Sequence, residues 1–158
     1  MIIQETGEGL PSANAYALVE AFLEYCEARN LAVGEATPSV ISAALIRATD
    51  YIDSAYVFRS VRLNNYQALQ NPRYLDDGLS PQLVAATIEL AFLALSQDLF
   101  AAPVRGIVSK EVSAGKASSK TTYDAAQAVT DPYPAITRML RTIASRVGSS
   151  IRVGMMTR

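Results

Sequence analysis

Four stretches of the chain place apolar residues at the three- and four-residue spacing of a helix, and two short ones alternate as strands do. The most apolar is 80–99, SPQLVAATIELAFLALSQDL. Ser80 as N-cap and Pro81 at the first helical position make a start signal. Val84, Thr87/Ile88, Ala91, Leu95 and Leu99 share one face, and Ala85, Leu90, Phe92, Leu93 and Ala94 fill the others. A helix apolar on every side is buried. Glu89 interrupts the run and leaves uncharged stretches too short to span a bilayer. The segment is therefore predicted to be the central helix of a soluble bundle.

A second helix is predicted over 18–29, with Val19, Phe22, Leu23 and Cys26 inward and Glu20, Glu24 and Glu27 facing water. A third runs over 38–56 behind Thr37-Pro38, with Ile41, Ala44, Leu45, Ala48, Ile52 and Ala55 on one face. A fourth is expected over 133–147, with Ile136, Met139, Leu140, Ile143 and Val147 as its stripe and Gly148 as its stop. Residues 106–112 and 118–123 alternate and are joined through Gly115, the pattern of a β-hairpin. Residues 1–17, broken by Gly7, Gly9 and Pro11, read as an extended arm whose first four residues could add a strand. The stretch 57–79 reads as a long irregular loop, with turn signals at Asn64-Asn65, Asn71-Pro72 and Asp76-Asp77-Gly78. The predicted fold is mainly α: one domain over 1–158, a small bundle of about four helices (body 14–100 and 131–147). A hairpin arm projects over about 104–124, and extended terminal segments include a tail at 148–158.

Half of the 158 residues are hydrophobic, enough for a real core. Net charge is −1, but residues 1–100 carry −7 and residues 101–158 carry +6. All three lysines, Lys110, Lys116 and Lys120, fall on the hairpin. Such a split suits nucleic-acid contact or head-to-tail contact with an acidic neighbour. One cysteine and no histidine exclude an internal disulfide, a Cys/His zinc site and histidine acid–base chemistry. The N-terminus lacks the basic flank and apolar core of a secretion signal.

No catalytic, cofactor or metal site is expected. Glu89 could be a catalytic acid; a structural ion pair with Arg47, or with Arg73, is preferred because no nucleophile or metal ligand is spaced to work with it. Asp50 with Asp53, and Asp76 with Asp77, read as solvated charge, without the alternation of a calcium loop. Cys26 reads as a buried small hydrophobe. Lys110, Lys116 and Lys120 with Tyr123 could form a protein-docking arm, a solvated edge or a nucleic-acid grip, preferred in that order. The phosphate term grows with the number of cations placed along the strand, and one tyrosine is a thin stacking platform. The tail, with Ile151, Arg152, Val153 and Arg158, is strand-like and basic.

Five segments taken together resemble a known family. They are ETGEGLPSANAY (5–16), ALIRATDYID (44–53), YQALQNPR (66–73), LSPQLVAATIELAFLAL (79–95) and DPYPAITRMLRTI (131–143). In this order they are similar to phage and prophage head–tail connector (adaptor) proteins, whose relatives often carry the label DnaT-like single-stranded-DNA-binding protein. Relatives tend to have Trp before the Pro-Arg of the third segment, where this chain has Asn71. The resemblance implies a helical protomer and a dodecameric ring of neighbouring copies beneath the portal protein. That ring would extend the DNA channel, pass DNA without sequence specificity, and give tail or second neck proteins a docking place. It implies a virion neck location after synthesis in the host cytoplasm, with no membrane. Under it the tail is expected to dock on the portal and the hairpin to reach adjacent protomers or the next ring. The rival expectation is a single-stranded-DNA binder.

Overall fold

The computed structural model describes residues 1–74, 78–101, 109–112, 119–122 and 131–147, with the backbone alone at 109–112 and 119–122. It is mainly α, with four helices and two separate two-stranded antiparallel sheets. The chain forms two compact units, Met1–Phe100 with Ala135–Arg158, and Ala101–Pro134.

In the first unit the core is the pair α2 (Pro38–Ala55) and α3 (Pro81–Ala94). The face predicted for α2 is buried at Ile41, Ala44, Leu45, Ala48 and Ile52. Leu83, Ala86, Ile88, Leu90 and Ala91 are buried on α3, and alanines on both helices let the backbones approach. Helix α1 (Val19–Ala28) buries Phe22 and Cys26, while Leu23 stays exposed. Thr37 caps α2 by accepting from the Val40 N–H, as its sequence signal predicts.

Several expectations are corrected. The Ser80 hydroxyl does not cap α3; it donates to the Gln82 side chain, and the Ser80 carbonyl takes the Leu83 and Val84 N–H groups. Helix α3 ends at Ala94 and passes into turns, and Phe92 to Leu95 are only half-buried. The fourth helix, α4, is short, Pro134–Leu140. A turn follows, and the remainder of its predicted span is strand β4 (Ala144–Arg146). Its partner is β1 (Tyr56–Phe58), directly after α2 in a stretch expected to be irregular. The register is Tyr56↔Arg146, Val57↔Ser145 and Phe58↔Ala144. Backbone bonds from Arg59 N–H to the Ile143 carbonyl (2.9 Å) and from Val147 N–H to the Ala55 carbonyl (2.8 Å) extend the ribbon at both ends. The N-terminal strand shrinks to one bridge, Gln4↔Ala15.

The second unit contains the hairpin, β2 (Ser109–Val112) paired with β3 (Ser119–Thr122). The alternating pattern predicted it, and both strands fall inside the predicted runs.

Candidate interaction surface

The long segment after β1 is ordered by side chains rather than by secondary structure. Gln67 is buried, donates to the Leu69 and Pro72 carbonyls, and accepts from the Asn64 N–H. Asn64 returns the bond to Gln67 N–H and reaches the Gly9 carbonyl. The Arg62 guanidinium donates to the Gln67 and Leu69 carbonyls. Arg73, nine-tenths buried, lies over the Phe58 ring and donates to the Ser60 carbonyl and the Gln70 side chain.

Two carboxylates organise the chain around this segment: Glu5 folds the N-terminal loop upon itself, and Asp53 anchors residue 70 to α2. Glu5 is fully buried. Its Oε1 accepts from the N–H groups of Gly7, Glu8 and Gly9 and its Oε2 from Leu10, all at 2.8–3.0 Å. The chain thus wraps its own carboxylate in a nest of backbone donors. Asp53 accepts from the Tyr16 hydroxyl (2.6 Å) and from Gln70 N–H (2.9 Å), and the Tyr16 oxygen in turn accepts from Asn71 N–H (3.0 Å). Burial pushes both the Tyr16 phenol and the Asp53 carboxyl up, and each also feels the other: the carboxylate raises the phenol, and the phenol's hydrogen bond lowers the acid.

Asp53 is therefore not solvated charge, as expected for it; Asp50 is exposed. The segments 5–16, 44–53 and 66–73 meet in this network, in which the Glu5 and Asp53 carboxylates and the Tyr16 phenol take their partners from within the chain, whereas Asn71 Nδ2 and Arg62 Nε are buried without a partner among the described residues. The sequence did carry a signal for Glu5, because glycines two and four residues on free the backbone to turn its N–H groups inward.

The pairing expected of Glu89 with Arg47 is also corrected. Glu89 is half-buried and accepts from the Tyr25 hydroxyl at 2.7 Å. Arg47 instead pairs with Asp98 at 2.6 Å near the end of the α3 turns. With side chains 44% and 61% exposed, that pair adds little. Cys26 is buried as expected, and burial first, then the Glu89 charge, raise its thiol.

On the hairpin, Lys110 stands opposite Thr121 and Glu111 opposite Lys120. The two lysines therefore occupy adjacent rungs of the ladder and are not paired across it. Lys116, Tyr123, Ile151, Arg152, Val153 and Arg158 lie outside the described residues. Among the described residues no group of acidic and Cys side chains is placed to hold a metal, and no helix is long and apolar enough to cross a membrane.

Val57, Val61, Leu63, Tyr66, Tyr74 and Val147 are exposed on the ribbon and on the segment that leaves β1, while Met1, Leu23, Val40 and Phe100 are exposed elsewhere in the first unit. Val57 and Val147 are each 58% exposed, and Arg59, Val61, Tyr66 and Tyr74 are exposed on that segment. Arg59 donates to the Arg141 carbonyl at 3.0 Å, which draws the α4–β4 turn to it.

A family model described as "Putative DnaT-like ssDNA binding protein" matches residues 1–157. The chain belongs to this family. Neither curated proteins nor solved structures gave a match. The match spans both compact units, with the residues of the hairpin and of the tail included.

Proposed function

We propose that this DnaT-like chain is a non-enzymatic binding protein whose ligand is single-stranded DNA, engaged through its cationic C-terminal third. The observation that carries the reading is the family match across residues 1–157. The charge split supports it: residues 101–158 carry +6 against −7 on the rest. Chemistry supports the non-enzymatic part. The buried Glu5 and half-buried Asp53 carboxylates each spend their oxygens on backbone or phenol donors of the chain itself. The test is anisotropy of a labelled oligothymidylate at two salt concentrations. Affinity should fall steeply with salt, as counterion release requires. Salt-independent binding, or none, rejects the reading.

A second reading is a virion head–tail connector that forms a ring of copies between portal and tail proteins. The observation favouring it is electrostatic: Glu20, Glu24 and Glu27 are exposed along α1, with Arg29 the one exposed cation at its end, while three further exposed cations, Arg59, Arg138 and Arg141, sit on other elements. Opposite charge on separate surfaces allows a heterologous, ring-closing contact. Light scattering of the purified chain with and without a portal protein tests it. A monomer that ignores the portal excludes this reading, as does portal binding unchanged by deletion of 149–158 for the tail's part in it.

A further inference from the structure

Two parts of the chain carry arginine and no acidic residue at all: 56–74, with Arg59, Arg62 and Arg73, and 132–158, with Arg138, Arg141, Arg146, Arg152 and Arg158. In a chain with 15 acidic residues these are its two long acid-free stretches that bear cations, and they lie far apart in sequence. The β1–β4 ribbon joins them.

From this juxtaposition we infer that the first unit carries its own single-stranded-DNA contact, separate from the hairpin, in which Arg59, Arg138 and Arg141 hold phosphates and Tyr74 offers a base a stacking face. The inference rests on the single-stranded-DNA reading and assigns residues to it. Arg59, Arg141 and Tyr74 are placed by described hydrogen bonds, and Arg138 by its position in α4. Arg59 continues β1 and its guanidinium donates to the Arg141 carbonyl, fixing the two residues side by side. Arg138 lies one helical turn before Arg141, on the last turn of α4. Tyr74, 67% exposed, is tied by its N–H to the Val61 carbonyl at 3.0 Å, two residues beyond Arg59.

Arg62 and Arg73 are spent on the segment's own carbonyls and are not part of the surface. The side chains of Arg138 and Arg141 are exposed and make no hydrogen bond or ion pair among the described residues. They are thus free to give the paired N–H donors that suit phosphate. Guanidinium groups together with an exposed aromatic ring are the combination that holds a single strand without reading its sequence.

The test uses the full chain and an oligothymidylate of about 16 nucleotides, within the length one such site covers. Arg138→Gln/Arg141→Gln breaks no described hydrogen bond, so it should fold as wild type. Arg59→Gln added to it keeps a donor toward the Arg141 carbonyl. The triple variant should flatten the slope of log affinity against log salt by about 2, since each phosphate contact on a single strand contributes about 0.7. Tyr74→Ala should weaken binding about fivefold or more with the slope unchanged, the signature of a lost stack. If both variants bind as wild type while Lys110→Gln/Lys116→Gln/Lys120→Gln abolishes binding, this surface is rejected and the single-stranded-DNA reading stands. If the wild-type chain does not bind the oligonucleotide, both fail together.

Discussion

The Tyr16 hydroxyl lies 2.6 Å from Asp53 Oδ1 and donates to it, thirty-seven residues along the chain and well inside the unit. The same oxygen accepts from Asn71 N–H, so one phenol ties the N-terminal segment, α2 and the 66–73 segment together. Tyr16→Phe removes both bonds and leaves a half-buried carboxylate oxygen and a buried N–H without partners. A buried polar group stripped of its partner costs about 1–3 kcal/mol. The variant should therefore lose about 2–4 kcal/mol in urea unfolding, as a lower midpoint with an unchanged slope. A loss below about 1 kcal/mol would show that other contacts hold the segment.

Gly9 is the second fixed point. Its φ of +74° suits glycine, and a Cβ there would meet Asn64 Nδ2 at 2.2 Å. Asn64 cannot swing away without losing its bonds to the Gly9 carbonyl and to Gln67 N–H. Gly9→Ala should destabilise by about 2 kcal/mol, combining left-handed strain with a forced side-chain shift. Gly34, with φ +66° and nothing within 4 Å, gives the control: Gly34→Ala should carry the strain alone, about 1 kcal/mol. Equal thermal shifts for the two variants would contradict the close approach at Gly9.

What could be read ahead of the structure was what local period encodes. The face of α2, the cap at Thr37, the burial of Cys26 and the hairpin strands all arise from spacing within a dozen residues. What could not be read was paired at long range. β1 is three residues long, too short to show alternation, and its partner lies about ninety residues on inside an apolar period that mimics a helix. Ile143 and Val147 fit the α4 stripe by count, yet Ile143 sits in the turn before β4 and Val147 ends in the open at the ribbon's edge. Polar residues misled in the same way. Glu89 drew attention because it stands alone in an apolar run, whereas the fully buried carboxylate is Glu5, in a loop whose glycines gave the only local hint.

The contact that Glu89 does make has a pH signature. The Tyr25 phenol is pushed up to about 12, first by burial and then by its hydrogen bond to Glu89, against the Arg29 guanidinium that lies 3.4 Å over its ring. An unfolded phenol ionises near 10. The native chain therefore keeps a proton that the unfolded chain gives up between those values. Its stabilising effect is complete below pH 10 and is lost as pH rises through about 12. The phenolate absorbance of wild type minus Tyr25→Phe should show one group titrating near 12. In a Glu89→Gln background that transition should move down, because the charge is gone while an acceptor remains. A difference spectrum already complete at pH 10 would mean that the two side chains are apart in solution.

The ribbon makes a prediction about truncation that a straight fourth helix would not. Ending the chain at Val147 keeps every described bond of the β1–β4 pair, including that from Val147 N–H to the Ala55 carbonyl. Ending it at Leu140 keeps all of α4 but strips β1 of its only described partner strand and uncovers the ribbon beside Tyr56 and Phe58, both buried in the intact chain. If residues 141–147 merely continued a helix, removing them would fray its last turns and cost little. Because they close a sheet over aromatic side chains, the shorter chain should lose several times more stability than the longer one. Exposing even about 100 Å² of apolar surface costs about 2.5 kcal/mol before the lost backbone bonds are counted. Thermal melts of the two truncations followed by tyrosine fluorescence read the difference. Equal melting points would show that β4 contributes nothing to the fold and would leave Arg59 and Arg141 without the strand pairing that brings them together.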